Sequence, residues 1–537
     1  MCLTCVYLAR DQICYTEVMR AKDEGFASIP LLVFLLLIVG GFVIFAGLAL
    51  GTPFLADRGI PFPFGSITFE VSAPANTPKE DIIFVKFESW KAFPLKRVSY
   101  EEGERQIWRG SIPISTLGYP GGKISYAYVR NNVHSEGTEY FPPERENLEQ
   151  PRHLPVELRT LEIQPGKTVK DEVLRWRWFP EDGEQPPDVP STANRVLATP
   201  RINNELFQAG VIISDLWAEE FEALIDPTFA HLKKNNVTWI GIKPPWDYTQ
   251  TDPLPKIENT TKSVPGYPQD KLRLLIRKAK KAGFKVNLEP QICCSDPKME
   301  GRLNKWYEEW ARQLERWLEF HIKIANEEGV DLLILGPYWP ESSPVEIGPI
   351  WENLVRRMRT DYNGKTAISA GVMDIGGEVL PTAGQLAPML PFIDYIVLSN
   401  WSELVRELNP SREEVVRGAK LLFNERIIPF QQKTQKPIIM IAAYPSAEGG
   451  AMGTEAPGME DLELSIVGPE QMSTVKLDLN IQAWIFDALA EEVAKHPFMV
   501  GFAPFAYPYM QLPKEPGHTI RGKPAEVILS RWYAVLK

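Results

Sequence analysis

From Phe207 to the C-terminus the chain repeats one pattern: a short apolar run, a polar and aromatic loop, then a longer stretch with apolar residues at helical spacing. The runs are Gly210-Val-Ile-Ile-Ser, Trp239-Ile-Gly-Ile-Lys, Lys285-Val-Asn-Leu-Glu, Asp331-Leu-Leu-Ile-Leu-Gly, Thr366-Ala-Ile-Ser-Ala, Tyr395-Ile-Val-Leu-Ser, Pro437-Ile-Ile-Met-Ile and Val500-Gly-Phe-Ala-Pro-Phe. Between them the spacing predicts helices over Phe221–Asn235, Gln269–Ala282, Leu303–Glu328 and Ile350–Tyr362. The connection from the fifth run to the sixth is the least helical. Runs that are apolar throughout, such as Ile438–Ile441, suit parallel strands covered on both faces. Eight of them alternating with helices over 201–537 predict a (β/α)₈ TIM barrel.

Residues 65–180 follow a different pattern. Ile67-Thr-Phe-Glu-Val alternates, Ile82-Ile-Phe-Val-Lys-Phe, Ile107-Trp-Arg-Gly-Ser-Ile and Ile124-Ser-Tyr-Ala-Tyr-Val-Arg follow, and turn signals separate them. Short strands in this order predict a β-sandwich. Leu158–Trp178 reads as its closing strands, with the Arg-Trp-Arg-Trp alternation burying both Trp176 and Trp178. Residues 181–200 are rich in proline and acidic residues, lack periodicity and read as a linker.

Residues 29–51 carry no charge and are long enough to span a bilayer, which takes about 20 residues. Arg10, Arg20 and Lys22 precede this segment and only Arg58 follows closely, which sets residues 1–28 in the cytoplasm and the rest outside. The competing reading is a signal segment cut near Ala46-Gly-Leu-Ala-Leu-Gly. Both readings export the remainder: a single-pass cell-membrane protein with its bulk extracellular, or a secreted one.

Two or three structural units fit the 537 residues. The formal charge of −11 and the lack of a basic stripe give no reason to expect nucleic acid. Cys2, Cys5 and Cys14 precede the apolar segment and Cys293 and Cys294 are adjacent, so the five cysteines make neither a disulfide framework nor a zinc site. A thiol nucleophile at Cys293 or Cys294 would need a histidine, and none is near in sequence. The six histidines are scattered, with His231 and His321 inside helices, and neither a metalloprotease, a Gly-x-Ser-x-Gly nor a phosphate-loop motif is present. No metal or cofactor is expected.

In such a barrel the chemistry sits where strands end. Aromatic residues follow those ends: Trp217, Trp246, Tyr338, Trp339, Trp401, Tyr444, Tyr507 and also Tyr248 and Tyr509. Flat rings beside carboxylates suit sugars, whose apolar faces stack while their hydroxyls take hydrogen bonds; packing under the loops is the alternative use of the same rings. Trp306, Trp310 and Trp317 lie within one helix and face the core. The carboxylates at this face are Asp215, Asp247, Glu289, Glu341, Asp374, Glu403 and Glu448. Glycoside hydrolysis needs two, one acid and one nucleophile or base. Glu289 stands directly at the end of Val286-Asn-Leu, where it could equally serve in a buried salt bridge; Glu448 lies on the loop after the seventh strand.

Two resemblances extend this reading. Phe69-Glu-Val-Ser-Ala-Pro, the stretch Trp90 to Leu95, Trp108 before a strand and Tyr126-Ala-Tyr-Val-Arg resemble the family 20 starch-binding modules. This implies a carbohydrate-binding sandwich in which Trp90 and Trp108 either stack on sugars or pack in the core. The stretch from Tyr267-Pro to Leu274-Leu-Ile-Arg-Lys-Ala-Lys-Lys-Ala-Gly-Phe-Lys-Val, then Trp306, Trp310, Ala325-Asn-Glu-Glu-Gly-Val-Asp and Trp351-Glu-Asn-Leu-Val-Arg-Arg-Met-Arg, resembles clan A glycoside hydrolases. The ending Ile520-Arg-Gly-Lys-Pro-Ala-Glu-Val-Ile-Leu-Ser-Arg-Trp-Tyr belongs to the same likeness, most nearly to family 113 endo-β-mannanases. That family implies an acid/base glutamate after strand four and a nucleophile glutamate ending strand seven. Here those places hold Gly336-Pro337-Tyr338 and Ala442 or Ala443, with Glu341 and Glu448 a few residues beyond.

The expectation is an exported, membrane-anchored, glycoside-hydrolase-like protein acting on a polysaccharide or oligosaccharide, with catalysis by Glu341 and Glu448, or by Glu289 with one of them. Sugar contacts are expected from Trp217, Trp246, Asp247, Tyr338, Trp339, Trp401, Tyr444 and Tyr507. The alternatives are a glycan-binding protein that has lost the acids and a cell-envelope interaction protein.

Overall fold

A computed structural model describes residues 65–88, 92–101, 103–131, 139–140, 158–184, 187–190, 201–202, 206–213, 217, 221–259, 267–293, 302–336, 347–372, 379–455 and 475–536. Residues 29–51, Trp90, Asp215, Cys294, Tyr338, Trp339, Glu341 and Asp374 therefore lie outside the described residues. Among the described residues no helix is long and apolar enough to cross a membrane.

The larger part is an eight-stranded parallel barrel. Its strands are β1 (Gln208–Ile213), β2 (Trp239–Ile242), β3 (Lys285–Leu288), β4 (Leu332–Leu335), β5 (Lys365–Val372), β6 (Tyr395–Asn400), β7 (Ile438–Ala442) and β8 (Met499–Pro504). Each pairs in parallel with the next, and β8 pairs back onto β1, closing the ring. Helices α1 (Glu222–Lys234), α2 (Gln269–Lys281), α3 (Asn304–Glu328), α4 (Ile347–Asp361), α5 (Arg412–Leu422), α6 (Leu479–Lys495) and α7 (Pro524–Leu536) run outside it. Among the described residues, the connection from β5 to β6 holds one α-helical turn, Ala383–Leu386, before a 3₁₀ turn.

Strand parity divides the apolar residues into two clusters. Ile212, Trp239, Leu332, Ile334, Ala367, Tyr395, Val397, Ile439, Ile441 and Ala503 fill the barrel interior. Their neighbours along each strand, such as Val211, Ile240, Val286, Leu333, Ile396, Met440 and Phe502, pack outward against the helices. Residues at alternate positions of a strand point to opposite faces, so each strand serves both cores. Trp306, Trp310 and Trp317 of α3 are buried in the outer cluster.

Two four-stranded sheets form the N-terminal part. One runs Lys96–Ser99, Gln106–Pro113, Ser66–Ala73, Thr168–Glu172 in spatial order, the other Ala92–Pro94, Ile83–Phe87, Lys123–Arg130, Arg159–Glu162. Ile67, Phe69, Val71 and Ala73 alternate inward from Ser66–Ala73. Phe69 meets Tyr126 of the other sheet edge to face, with centroids 5.2 Å apart. Trp108 is buried in this core. Trp176 is too, its Nε1 donating to Thr77 Oγ1 at 2.8 Å. Trp178 is not: the two-residue strand Arg175–Trp176 ends, Trp178 takes a left-handed backbone (φ 54°), and Phe179 fills the next core position instead.

This part touches the barrel at the segment that follows β8. Arg130, wholly buried between Asp81 (2.7 Å) and the Phe179 ring, donates through Nη2 to Gln511 O at 2.9 Å. Lys514 donates its backbone N–H to Trp178 O (3.1 Å) and pairs with Glu184. A segment leaving the C-terminal end of β8 lies on the mouth side, so the two-sheet part sits beside the mouth.

Candidate active site at the barrel mouth

Four inward positions at the C-terminal ends of the strands are polar: Lys243, Glu289, Ser369 and Ser399. The register pairs Gly241 with Asn287, so the next inward residues, Lys243 after β2 and Glu289 after β3, stand side by side. Glu289 N donates to Ile242 O at 2.9 Å, which extends the ladder and holds Glu289 at this place. Lys243 Nζ lies 2.9 Å from Glu289 Oε2, and the two side chains are only 13 % and 4 % exposed. The ring of Phe505 covers the ammonium from the β8 side, 5.6 Å from its centroid.

This contact is an ion pair and not an aligned hydrogen bond: among the described residues no donor is directed at the buried Glu289 Oε2. Asn287 Oδ1, one inward step deeper, is also buried without a donor among the described residues. Ser369 and Ser399 take the inward positions on β5 and β6 and are buried. The mouth is thus a carboxylate, an ammonium, an amide and hydroxyls over an apolar plug. Trp401, two residues beyond Ser399, is half-buried there.

Gly336 and Ala443 occupy the inward ends of β4 and β7. A Cβ at Gly336 would sit 2.3 Å from Ser369 Cβ, so the backbone there passes too close to β5 for a side chain. Ala443 is buried. Neither position supplies a carboxylate.

The other candidate residues lie as follows. Glu448 is on the partly exposed loop after β7, 3.1 Å from Lys476 Nζ. Hydrogen bonding from Asn409 and then from Lys476 holds its carboxyl below the ordinary range. Glu403 pairs with Arg406 at 2.9 Å. Asp247 is buried in the strand Pro245–Gln250, which with Lys256–Glu258 and Gln291–Cys293 forms a small sheet after β2 and β3. Trp246, in the same strand, is half-buried with its ring 5.1 Å from Phe320 and 5.5 Å from His321.

Trp217, Tyr444 and Tyr507 belong to the outer cluster between barrel and helices. Trp217 packs on Tyr267, with Lys271 over its ring. Tyr444 is wholly buried; its hydroxyl donates to Ser402 O at 2.8 Å and accepts from Asn400 Nδ2 at 3.0 Å. Tyr507 donates to Glu526 Oε1 at 2.5 Å, and burial pushes its phenol well above the ordinary value. Among the described residues no His, Cys, Asp and Glu gather as a metal site would require.

Lys243 was not among the residues marked by the strand-end pattern. The signal was present: it ends Trp239-Ile-Gly-Ile-Lys as Glu289 ends Lys285-Val-Asn-Leu-Glu, at the same inward parity.

No family model matches the chain, and no curated protein matches it. Solved structures similar in fold include a GH113 β-1,4-mannanase, 16 % identical over 61 % of this chain and 99 % of the other, with a TM-score of 0.46. The GH113 β-mannanase of Alicyclobacillus acidocaldarius is 17 % identical over 62 % of this chain and 98 % of its own, TM-score 0.46. A β-glucuronidase from Ruminococcus gnavus is 12 % identical over 84 % and 62 %, TM-score 0.39. These likenesses concern the fold, and the barrel assignment itself rests on the strand pairing above.

Proposed function

We propose that the chain is a carbohydrate-acting, glycoside-hydrolase-like protein in which Glu289 is the reacting carboxylate at the barrel mouth. One observation carries the reading. Among the described residues, Asn287 Oδ1 is a buried acceptor without a donor and Glu289 Oε2 has only the unaligned Lys243 ammonium beside it, at the end of the barrel where ligands bind. Buried polar atoms are almost always satisfied, and a ligand rich in hydroxyl donors satisfies these two. A polysaccharide or oligosaccharide is such a ligand.

Hydrolysis of a glycosidic bond places one proton on the leaving oxygen and one water at the anomeric carbon. Glu289, paired with Lys243, offers an electron pair: it attacks the anomeric carbon or takes the proton of the attacking water. The proton for the leaving oxygen comes from a second carboxyl. Glu448 fits that role poorly, since its depressed carboxyl carries no proton at neutral pH. Glu341, a few residues beyond β4 in the sequence, is the donor in this reading. Trp401 supplies a ring at the mouth.

The same proposal takes residues 29–51 as the membrane anchor, with the two-sheet part and the barrel outside the cell, and the two-sheet part as a starch-binding-like sandwich. Trp108 is spent in its core, so any sugar face there uses other residues.

A second reading, glycan binding without hydrolysis, draws on Gly336 and Ala443, which leave the strand ends of β4 and β7 without carboxylates. A polysaccharide panel that includes mannan and starch, assayed for binding and reducing-end release together, separates the two. Hydrolysis predicts release by the native chain and a loss of about 10²-fold or more in Glu289→Gln, with binding kept. Binding with no release from any substrate would replace hydrolysis by the second reading.

A further inference from the structure

The opposite end of the barrel holds a cavity of about 700 Å³. That volume lies within the range of small-molecule sites. It opens where strands begin: Gln208, Trp239, Lys285, Lys365 and Tyr395 are the first residues of β1, β2, β3, β5 and β6, and Asp394 directly precedes β6. This end is remote from the strand termini that carry the mouth, so chemistry is not expected there.

Its charges are unevenly used. Asp394 takes Lys365 Nζ at 3.1 Å, Arg359 Nη1 at 3.0 Å and the backbone N–H of Thr366 at 2.9 Å. Asp331 takes Lys280 Nζ at 2.7 Å and the N–H of Val286 at 2.9 Å. Asp394 engages both of its oxygens, whereas both bonds to Asp331 go to Oδ2. Lys285 has no carboxylate partner among the described residues; its ammonium stands 5.3 Å from the Trp239 ring. The lining has three cations, Lys285, Arg359 and Lys365, against two carboxylates, Asp331 and Asp394. Lys280 answers Asp331 from outside the lining and Asp394 serves both Arg359 and Lys365, so the lining is net positive and its unpaired cation among the described residues is the exposed Lys285 ammonium. Gln208 is 4 % exposed, and its buried Oε1 has no hydrogen-bond donor among the described residues.

A surplus ammonium, an unanswered amide acceptor and ring walls from Trp239 and Tyr395 define the missing ligand. It brings one negative charge for Lys285 and at least one hydroxyl that donates to Gln208. We propose that this cavity is a second, non-catalytic site for a monoanionic polyhydroxy acid, a uronate or a short oligosaccharide carrying one. The site is independent of the reaction at the mouth.

The test is calorimetric titration of the full chain with D-glucuronate, with D-glucose and acetate as controls that lack the charge or the hydroxyls. Saturable glucuronate binding, weaker by about tenfold in Lys285→Met and in Gln208→Leu and weaker by a similar factor for each control, is the expected result. Lys285→Arg keeps the charge and retains binding, and Glu289→Gln at the mouth leaves it unchanged. Thermal melting confirms that each variant is folded. Absence of saturable binding overturns the proposal, as does binding that is unaltered in a folded Lys285→Met chain. Loss of glucuronate binding in Glu289→Gln overturns it as well, since the sugar acid would then be held at the mouth.

Discussion

Lys243 and Glu289 are each tolerable inside the barrel because of the other. Removing one partner of a buried pair leaves an uncompensated charge. Lys243→Met is therefore expected to destabilise the chain by about 3–5 kcal/mol in urea denaturation. Lys243→Met combined with Glu289→Leu should recover most of the loss, and a single-variant loss under about 1 kcal/mol would mean the pair is solvated, as surface pairs are. At Gly336 the constraint is space. Gly336→Ala sets its methyl against Ser369 Cβ, an overpacking expected to cost about 1–3 kcal/mol. Ser369→Gly should relieve that cost in the double variant, and equal melting temperatures for Gly336→Ala and the native chain would refute the close approach. His321 gives a pH dependence. Burial pushes its imidazole down to about 3, although its Nδ1 donates to Trp317 O. The unfolded chain takes up this proton near the ordinary 6.5, and the folded chain does so only near 3. Stability from this group is thus complete above about 6.5 and is lost progressively as pH falls toward 3. His321→Phe should flatten that part of the urea-midpoint profile; an unchanged acid slope would show that His321 protonates without unfolding.

At the scale of the strands, what could be read from the chain was existence and order. Eight apolar runs between helical patterns mark the eight strands, and the run from Ile438 to Ile441 illustrates why. A parallel strand is buried on both faces and needs no polar alternation. The same property hides parity. Nothing in Ile-Ile-Met-Ile-Ala-Ala-Tyr says whether Ala443 or Tyr444 faces the mouth, and the structure turns Ala443 inward and Tyr444 into the helix-side core. Aromatic residues after strand ends were thus legible as a set but not as inward or outward members. Tyr444→Phe tests the assignment. Losing the bonds to Ser402 and Asn400 should lower stability by about 1–2 kcal/mol while leaving sugar affinity within twofold, about 0.4 kcal/mol. A larger loss of affinity than of stability would return Tyr444 to the binding surface. Parity also separates Trp176 from Trp178, where a tight turn interrupts the alternation that the Arg-Trp-Arg-Trp pattern suggests.

At the scale of the molecule, the two-sheet part and the barrel meet through contacts between residues far apart in the chain. Arg130 reaches Gln511, and Lys514 reaches Trp178 and Glu184. No local pattern announces such a pairing, which is why the sequence yields units and strand order but not their docking. The docking sets the two-sheet part beside the loop that follows β8, so a polymer held by one part would lie near the mouth of the other. The proposed reaction rests on Glu289, a buried carboxylate at that mouth. Reducing-end release from the best-bound polysaccharide, compared for the native chain, Glu289→Gln and Glu448→Gln, measures it directly. The account predicts release by the native chain and by Glu448→Gln, and its loss in Glu289→Gln with polymer binding intact. Full release by Glu289→Gln, or its loss only in Glu448→Gln, would contradict it.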